Sequence, residues 1–177
     1  GLLMADALAE ERRHLARLLE ALQRCAYFLD HSEQKIDWPL EGAALEQRRK
    51  DTELFETLAA INERFAKLQD TLAVAMRHTA LLMSEAPDSF LKVLTFFEKL
   101  GVLESAEHWQ QSRMARNIAA HDYETNYDAI AEHFNALESL TGLLFRTARN
   151  LIGRVATDLD VRPASGDFSA EFDQLFD

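Results

Sequence analysis

Between residues 54 and 82 one pattern repeats without a break: Leu54, Leu58, Ile61, Phe65, Leu68, Leu72, Ala75, Thr79 and Leu82 follow one another in alternating steps of four and three. That spacing puts the side chains on one face of an α-helix and on no single face of a strand. A continuous helix of roughly 35 to 40 residues would span about 55 Å at 1.5 Å per residue. One small bundle needs less, so part of the stripe is expected to face a second subunit. Pro87 is expected to end it.

The flanking segments repeat the signal. Leu8, Leu15, Leu18, Leu22, Cys25 and Leu29 predict a first helix from about Met4 to Leu29. The stretch HSEQKIDWPLEGAALEQ breaks the periodicity and reads as a connection, with Trp38 as its anchor to the bundle. After Pro87, Asp88 or Ser89 is placed to cap a short helix, FLKVLTFFEKL, in which Phe90, Leu94 and Phe97 share a face and which stops at Gly101. Ser105 is placed to cap a fourth helix, AEHWQQSRMARNIAA. A wheel assigns Met114, Ala115, Ile118 and Ala119 to its apolar face and turns Arg113, Arg116 and Asn117 away. Thr125 to Asp128 reads as a capping box. The fifth helix then runs from about Tyr127 to Arg154 with Ile130, Phe134, Leu137, Leu144, Ala148, Leu151 and Val155 as its stripe.

With 177 residues, 47% of them hydrophobic, and only six Gly and three Pro, the chain is expected to build one all-α domain. The predicted architecture is an antiparallel bundle of about five helices, a four-helix up-and-down core plus a short helix, occupying residues 1–156. Residues 157–177, TDLDVRPASGDFSAEFDQLFD, are acidic and contain Pro and Gly, so composition predicts a flexible tail. Phe168, Phe172, Leu175 and Phe176 nevertheless stand at helical spacing, which also fits a short amphipathic helix that docks.

Nineteen basic against thirty acidic residues give a net charge of −11, the wrong sign for holding long nucleic acids by the overall field. Any nucleic-acid contact must be local. The single cysteine, Cys25, leaves no intramolecular disulfide and reads as a buried reduced thiol. No apolar run is long enough for a membrane span, and GLLMADALAEERR lacks the basic-then-apolar order of a signal peptide, so a cytoplasmic location is the expectation. No metal-ligand cluster, glycine phosphate loop or nucleophile elbow stands out, and neither a metal nor a cofactor is expected.

The chemistry concentrates in RNIAAHDY, residues 116–123. His121 exchanges protons near neutral pH, and Arg116 is a permanent cation whose fork fits phosphate oxygens. Together they suit phosphoryl transfer. Asn117 lies four residues before His121 and is placed to orient it, whereas Arg116 and His121 are about 140° apart on an ideal wheel and converge only if the helix breaks or a second copy intervenes. A continued helix would bring Asp122 to the centre of the apolar face, so a break at or just after His121 is expected. The same residue types also suit an ordinary helix C-terminus, where a histidine favours the dipole and Arg or Asn satisfies end carbonyls. Spacing alone leaves both readings open.

The longer stretch FFEKLGVLESAEHWQQSRMARNIAAHDY, followed by ETNYDAI and a long helix, resembles the HEPN superfamily, and within it the HepT-type proteins, also described as nucleotidyltransferase substrate-binding proteins. The pattern there is Arg, usually Asn, a few variable residues, His, any residue and Tyr, and Arg116, Asn117, His121 and Tyr123 match it. The resemblance is specific over roughly residues 90 to 130 and architectural before that. It implies a metal-independent ribonuclease toxin acting as a homodimer, with the motifs of two subunits meeting in a cleft. His121 would serve as general acid/base for attack of an RNA 2′-hydroxyl on the adjacent phosphate, Arg116 would stabilise the phosphorane charge, and Asn117 would position the histidine or the substrate. Arg113 would add a phosphate contact. The implied partner is an MNT-type nucleotidyltransferase antitoxin that silences the toxin by attaching AMP to Tyr123. A non-catalytic partner of the transferase is the competing expectation. It is favoured by the acidic charge, since Lys92, Lys99 and His108 add little basic surface to Arg113 and Arg116.

Overall fold

The computed structural model describes residues 2–85, 87–118 and 126–177. Seven helices and no strand occur among the described residues: α1 (Leu2–Glu33), α2 (Gly42–Gln47), α3 (Thr52–Leu82), α4 (Phe90–Lys99), α5 (Ala106–Ile118), α6 (Tyr127–Leu159) and α7 (Ser169–Gln174). The fold is an all-α bundle. Three helices of 31 to 33 residues, α1, α3 and α6, set its length.

The α3 stripe is the core. Leu58, Ile61, Phe65, Leu68, Leu72, Ala75 and Thr79 are at most 1% exposed, Leu54 is buried and Leu82 is half-buried. Asp51 starts the helix by accepting a hydrogen bond from the Leu54 amide at 3.0 Å. The stop lies before Pro87. Ser84 takes the left-handed conformation at φ 64°, the Glu85 amide donates to the Ala80 carbonyl and the Ser84 amide to that of Leu81, which together make a Schellman end. Helix α4 finishes the same way on Gly101 at φ 76°, with amides of Val102 and Gly101 donating to the carbonyls of Phe97 and Glu98.

Helix α1 lies antiparallel to α3. Glu11 meets His78 near one end of the pair, and Ser32 accepts from Arg64 toward the other. It is also antiparallel to α6, where Thr141 donates to Glu33 and Arg12 reaches the Leu159 carbonyl. All seven predicted stripe residues of α6 are buried. Its cap is Asn126, which accepts from the Ala129 amide at 3.1 Å; the Thr125 part of the predicted capping box lies outside the described residues.

The connection after α1 is tied down at two points. Trp38 donates its indole N–H to the Glu33 carbonyl at 2.9 Å. Asn135 of α6 clamps Leu40 by accepting from its amide at 2.7 Å and donating to its carbonyl at 2.9 Å, so the chain returns through α2 against α6.

The last twenty residues do not follow the flexible-tail expectation. Helix α6 continues to Leu159, Asp160 turns the chain at φ 52°, and the segment beyond lies along α1. The Ala164 amide donates to the Ala16 carbonyl at 3.0 Å, Ser169 donates to Gln23 at 3.2 Å, and Val161 and Phe172 are 6% and 2% exposed. Acidic composition predicts solvation, but Val161 and Phe172 are buried, with Leu175 and Phe176 packed beside them on the core, and this apolar burial favours the docked segment. This matches the docked-helix alternative.

Candidate functional site

Helix α5 carries the first half of the Arg-Asn-His-Tyr motif. Ser105 starts it by accepting from the His108 amide at 3.2 Å. Glu98 of α4 reaches across to accept from the Ala106 amide at 2.7 Å, a second acceptor at the same helix start and one that carries negative charge. The helix then buries Trp109 and Ser112, 1% and 0% exposed. Met114 is 61% exposed. This corrects the predicted face: α5 is turned so that Trp109 and Ser112 enter the bundle, Met114 faces outward, and Arg116 is pulled against α3 instead of pointing away. The physical reason is a polar contact that hydrophobic periodicity does not register.

That contact is a relay from the core to Arg116. The Ser112 hydroxyl donates to the Trp109 carbonyl at 2.6 Å and accepts from the Gln69 side-chain amide at 2.7 Å. Gln69, fully buried on α3, turns its oxygen to the Arg116 guanidinium, which donates to it at 3.3 Å. Asp70 then takes both arms of the guanidinium, at 2.5 and 3.1 Å. A two-armed arginine–carboxylate pair fixes the plane of the guanidinium as well as its position. Arg116 keeps 23% of its side-chain surface and Asp70 50%, so the pair closes the relay at the edge of solvent.

Arg113 stands one turn earlier, 3.9 Å from the same Asp70 carboxylate and half exposed. Asn117 is exposed. His121, Asp122 and Tyr123 lie outside the described residues, as does the predicted helix break. The structure therefore brings Arg113 and Arg116 together around Asp70 and places Asn117 on the solvent side. Among the other basic residues considered, Lys92 is engaged by Asp88 at 2.9 Å.

Comparison with known proteins returns no match to a family model, a curated protein or a solved structure. The site must be read from its own residues.

Sequence reasoning missed Gln69, Asp70 and Ser112. Gln69 follows directly on stripe residue Leu68, and a lone amide beside an apolar stripe is the only signal it gives. Ser112 and Asp70 give none, because their significance depends on the facing helix. Among the described residues no group of three or more His, Cys, Asp or Glu is arranged to hold a metal ion, and no helix is long and apolar enough to cross a membrane.

Proposed function

We propose that this protein is a HEPN-type, HepT-like ribonuclease that cleaves RNA without a metal and works as a toxin beside a nucleotidyltransferase antitoxin. The observation that carries the reading is the complete set Arg116, Asn117, His121 and Tyr123 in motif order, with Arg116 seated by a relay rooted in the core. A scaffold has no evident need for all four.

The chemistry is RNA transesterification. His121 takes the proton from a 2′-hydroxyl, the O2′ oxygen attacks the adjacent phosphorus, the bond to O5′ breaks, and the departing oxygen receives a proton from the imidazolium or its counterpart in a second subunit. The products are a 2′,3′-cyclic phosphate and a 5′-hydroxyl. Arg116 stabilises the charge on the phosphorane oxygens, with Arg113 drawing the phosphate backbone in and Asn117 orienting the imidazole. AMP attached to Tyr123 by the partner places bulky negative charge beside the cleft and repels RNA. A homodimer supplies the second motif. Exposed Met114 and Val74, each within about one turn of the Arg116–Asp70 pair, support an apolar contact there.

A specific observation favours a second reading, a non-catalytic partner of the transferase. Asp70 already occupies the arginine that the phosphate needs, and the chain carries a net charge of −11. Incubation with RNA in EDTA separates the two. Cleavage that disappears in a folded His121→Ala variant supports the nuclease, and intact RNA at every protein concentration leaves the partner reading standing.

A further inference from the structure

A second cluster of positive charge lies in the groove between α1 and α3, where Arg24, Arg64 and Lys67 line a cavity of about 410 Å³. In an acidic chain such a cluster is expected to be paired with neighbouring carboxylates, and here no direct pair forms, although Glu63 lines the same groove. None of the three makes an ion pair among the described residues, and the carboxylate lining the groove is Glu63.

The cations are held by neutral groups instead. Arg64 donates to the Ser32 hydroxyl at 2.6 Å and to the Phe28 carbonyl at 3.5 Å. Its guanidinium lies 5.4 Å from the Phe28 ring centre, and that of Arg24 lies 4.9 Å from the same ring. Phe168, from the docked tail, adds a second ring 6.0 Å from Arg24. Aromatic faces, a hydroxyl and a carbonyl restrict a guanidinium without cancelling its charge. The two arginines are thus positioned in advance and remain electrostatically unspent.

The groove floor adds no negative charge. Cys25 lies there, donating its thiol hydrogen to the Arg64 carbonyl at 3.3 Å. Burial pushes the thiol up to about 11, against the opposing pull of Arg64, Lys67 and Arg24, so it stays neutral at physiological pH. All three cations and the sulfur line the same cavity.

We infer that this groove binds a small phosphorylated ligand, a phosphate monoester or diphosphate, between Arg24, Arg64 and Lys67. Three converging cations suit a group carrying two or more charges, guanidinium forks match phosphate oxygens, and the cavity falls within the usual size range of small-molecule sites. The groove shares no lining residue with the Arg116–Asp70 pair.

Cys25 is the single cysteine of the chain and provides the readout. The full chain is alkylated with iodoacetamide at low ionic strength and the rate is followed by intact mass, with pyrophosphate, ribose 5-phosphate or a short single-stranded RNA as the probe. Pyrophosphate and ribose 5-phosphate are expected to slow alkylation several-fold, because a bound anion both covers the thiol and disfavours its thiolate. The protection should vanish in Arg24→Gln/Lys67→Gln, whose two sites are exposed, and in Lys67→Gln alone it should weaken, which guards against any disturbance of the Phe28 stack. Unchanged alkylation with both small phosphates overturns the assignment, as does equal protection in the double variant. Protection by RNA alone also overturns it, by making the groove a backbone track.

Discussion

Arg116 on α5 and Asp70 on α3 form a two-armed ion pair, at 2.5 and 3.1 Å, that joins the motif to the longest apolar stripe of the bundle. The pair both positions the arginine and offsets its charge. Any phosphate that uses Arg116 must therefore share it with Asp70 or displace it. Arg113 is also drawn toward that carboxylate, so Asp70 governs the positive charge available on this face.

Replacing Asp70 by Asn tests that control. The amide keeps much of the shape and one acceptor while removing the charge. Half-exposed ion pairs contribute about 0.2–1 kcal/mol, so the thermal midpoint should move little. If RNA is the ligand, Asp70→Asn should bind it more tightly and steepen the plot of log affinity against log salt by about 0.7, the value of one further phosphate contact on a single strand. Filter binding across a salt series reads both quantities. An unchanged slope would mean that Arg116 does not meet phosphate.

The relay behind Arg116 should behave as a unit. Ser112→Ala leaves the Gln69 amide and the Trp109 carbonyl without the hydroxyl they share, a loss expected to cost about 1–3 kcal/mol in urea unfolding. Gln69→Leu removes the buried amide itself, while Ser112 still donates to Trp109 and Arg116 retains Asp70. The double variant should thus cost less than the two single costs together, with a coupling of about 0.5–3 kcal/mol. Additive costs would show that the two side chains act separately.

Much of this architecture is legible in the sequence because it is amphipathic. The α3 and α6 stripes can be read residue by residue, since only a helix turned toward a core places Leu, Ile and Phe at those intervals. Helix α5 is different. Its inward residues include a serine that matches a glutamine on another helix, and a pattern of apolar spacing cannot encode a polar match across the interface. Apolar periodicity therefore places Met114 inward and Arg116 outward, the reverse of what is found. The tail illustrates the opposite difficulty: its acidic residues mask the apolar side chains, Val161 and Phe172 above all, that dock it. For the motif itself, the sequence names Arg116, while the seat that Gln69 and Asp70 give it comes from a helix more than forty residues away in the chain.

Phe172 is the anchor of that docked tail. It is 2% exposed on α7 and lies against Phe176, at a ring separation of 5.3 Å. Phe172→Ala should destabilise the protein by about 3–5 kcal/mol, as for other fully buried phenylalanines. Removing residues 166–177 should in addition uncover the α1 surface around Gln23 and Tyr27, raising binding of a hydrophobic dye. Calorimetry that finds Phe172→Ala within about 0.5 kcal/mol of the parent, the range of ordinary surface changes, would contradict the docked arrangement.

Glu33 gives the fold its clearest pH dependence. Its carboxylate accepts from the Thr141 hydroxyl at 2.5 Å near the end of α1. Burial is the main cause that pushes its pKa up to about 7, with the negative charges of Glu138 and Asp30 acting in the same direction and the Thr141 hydrogen bond opposing them. In the unfolded chain the group titrates near 4.5. The folded state thus retains a proton between those two values that the unfolded state has already released, so stability falls as pH rises from about 4.5 to about 7 and levels off above that. A full separation of this size corresponds to at most about 3 kcal/mol at 1.36 kcal/mol per unit. Glu33→Gln keeps an acceptor for Thr141 but has no proton to lose. Urea midpoints measured at pH 5.5 and pH 8 should therefore fall for the parent and change less for the variant. Equal falls in the two proteins would assign the pH dependence to other groups.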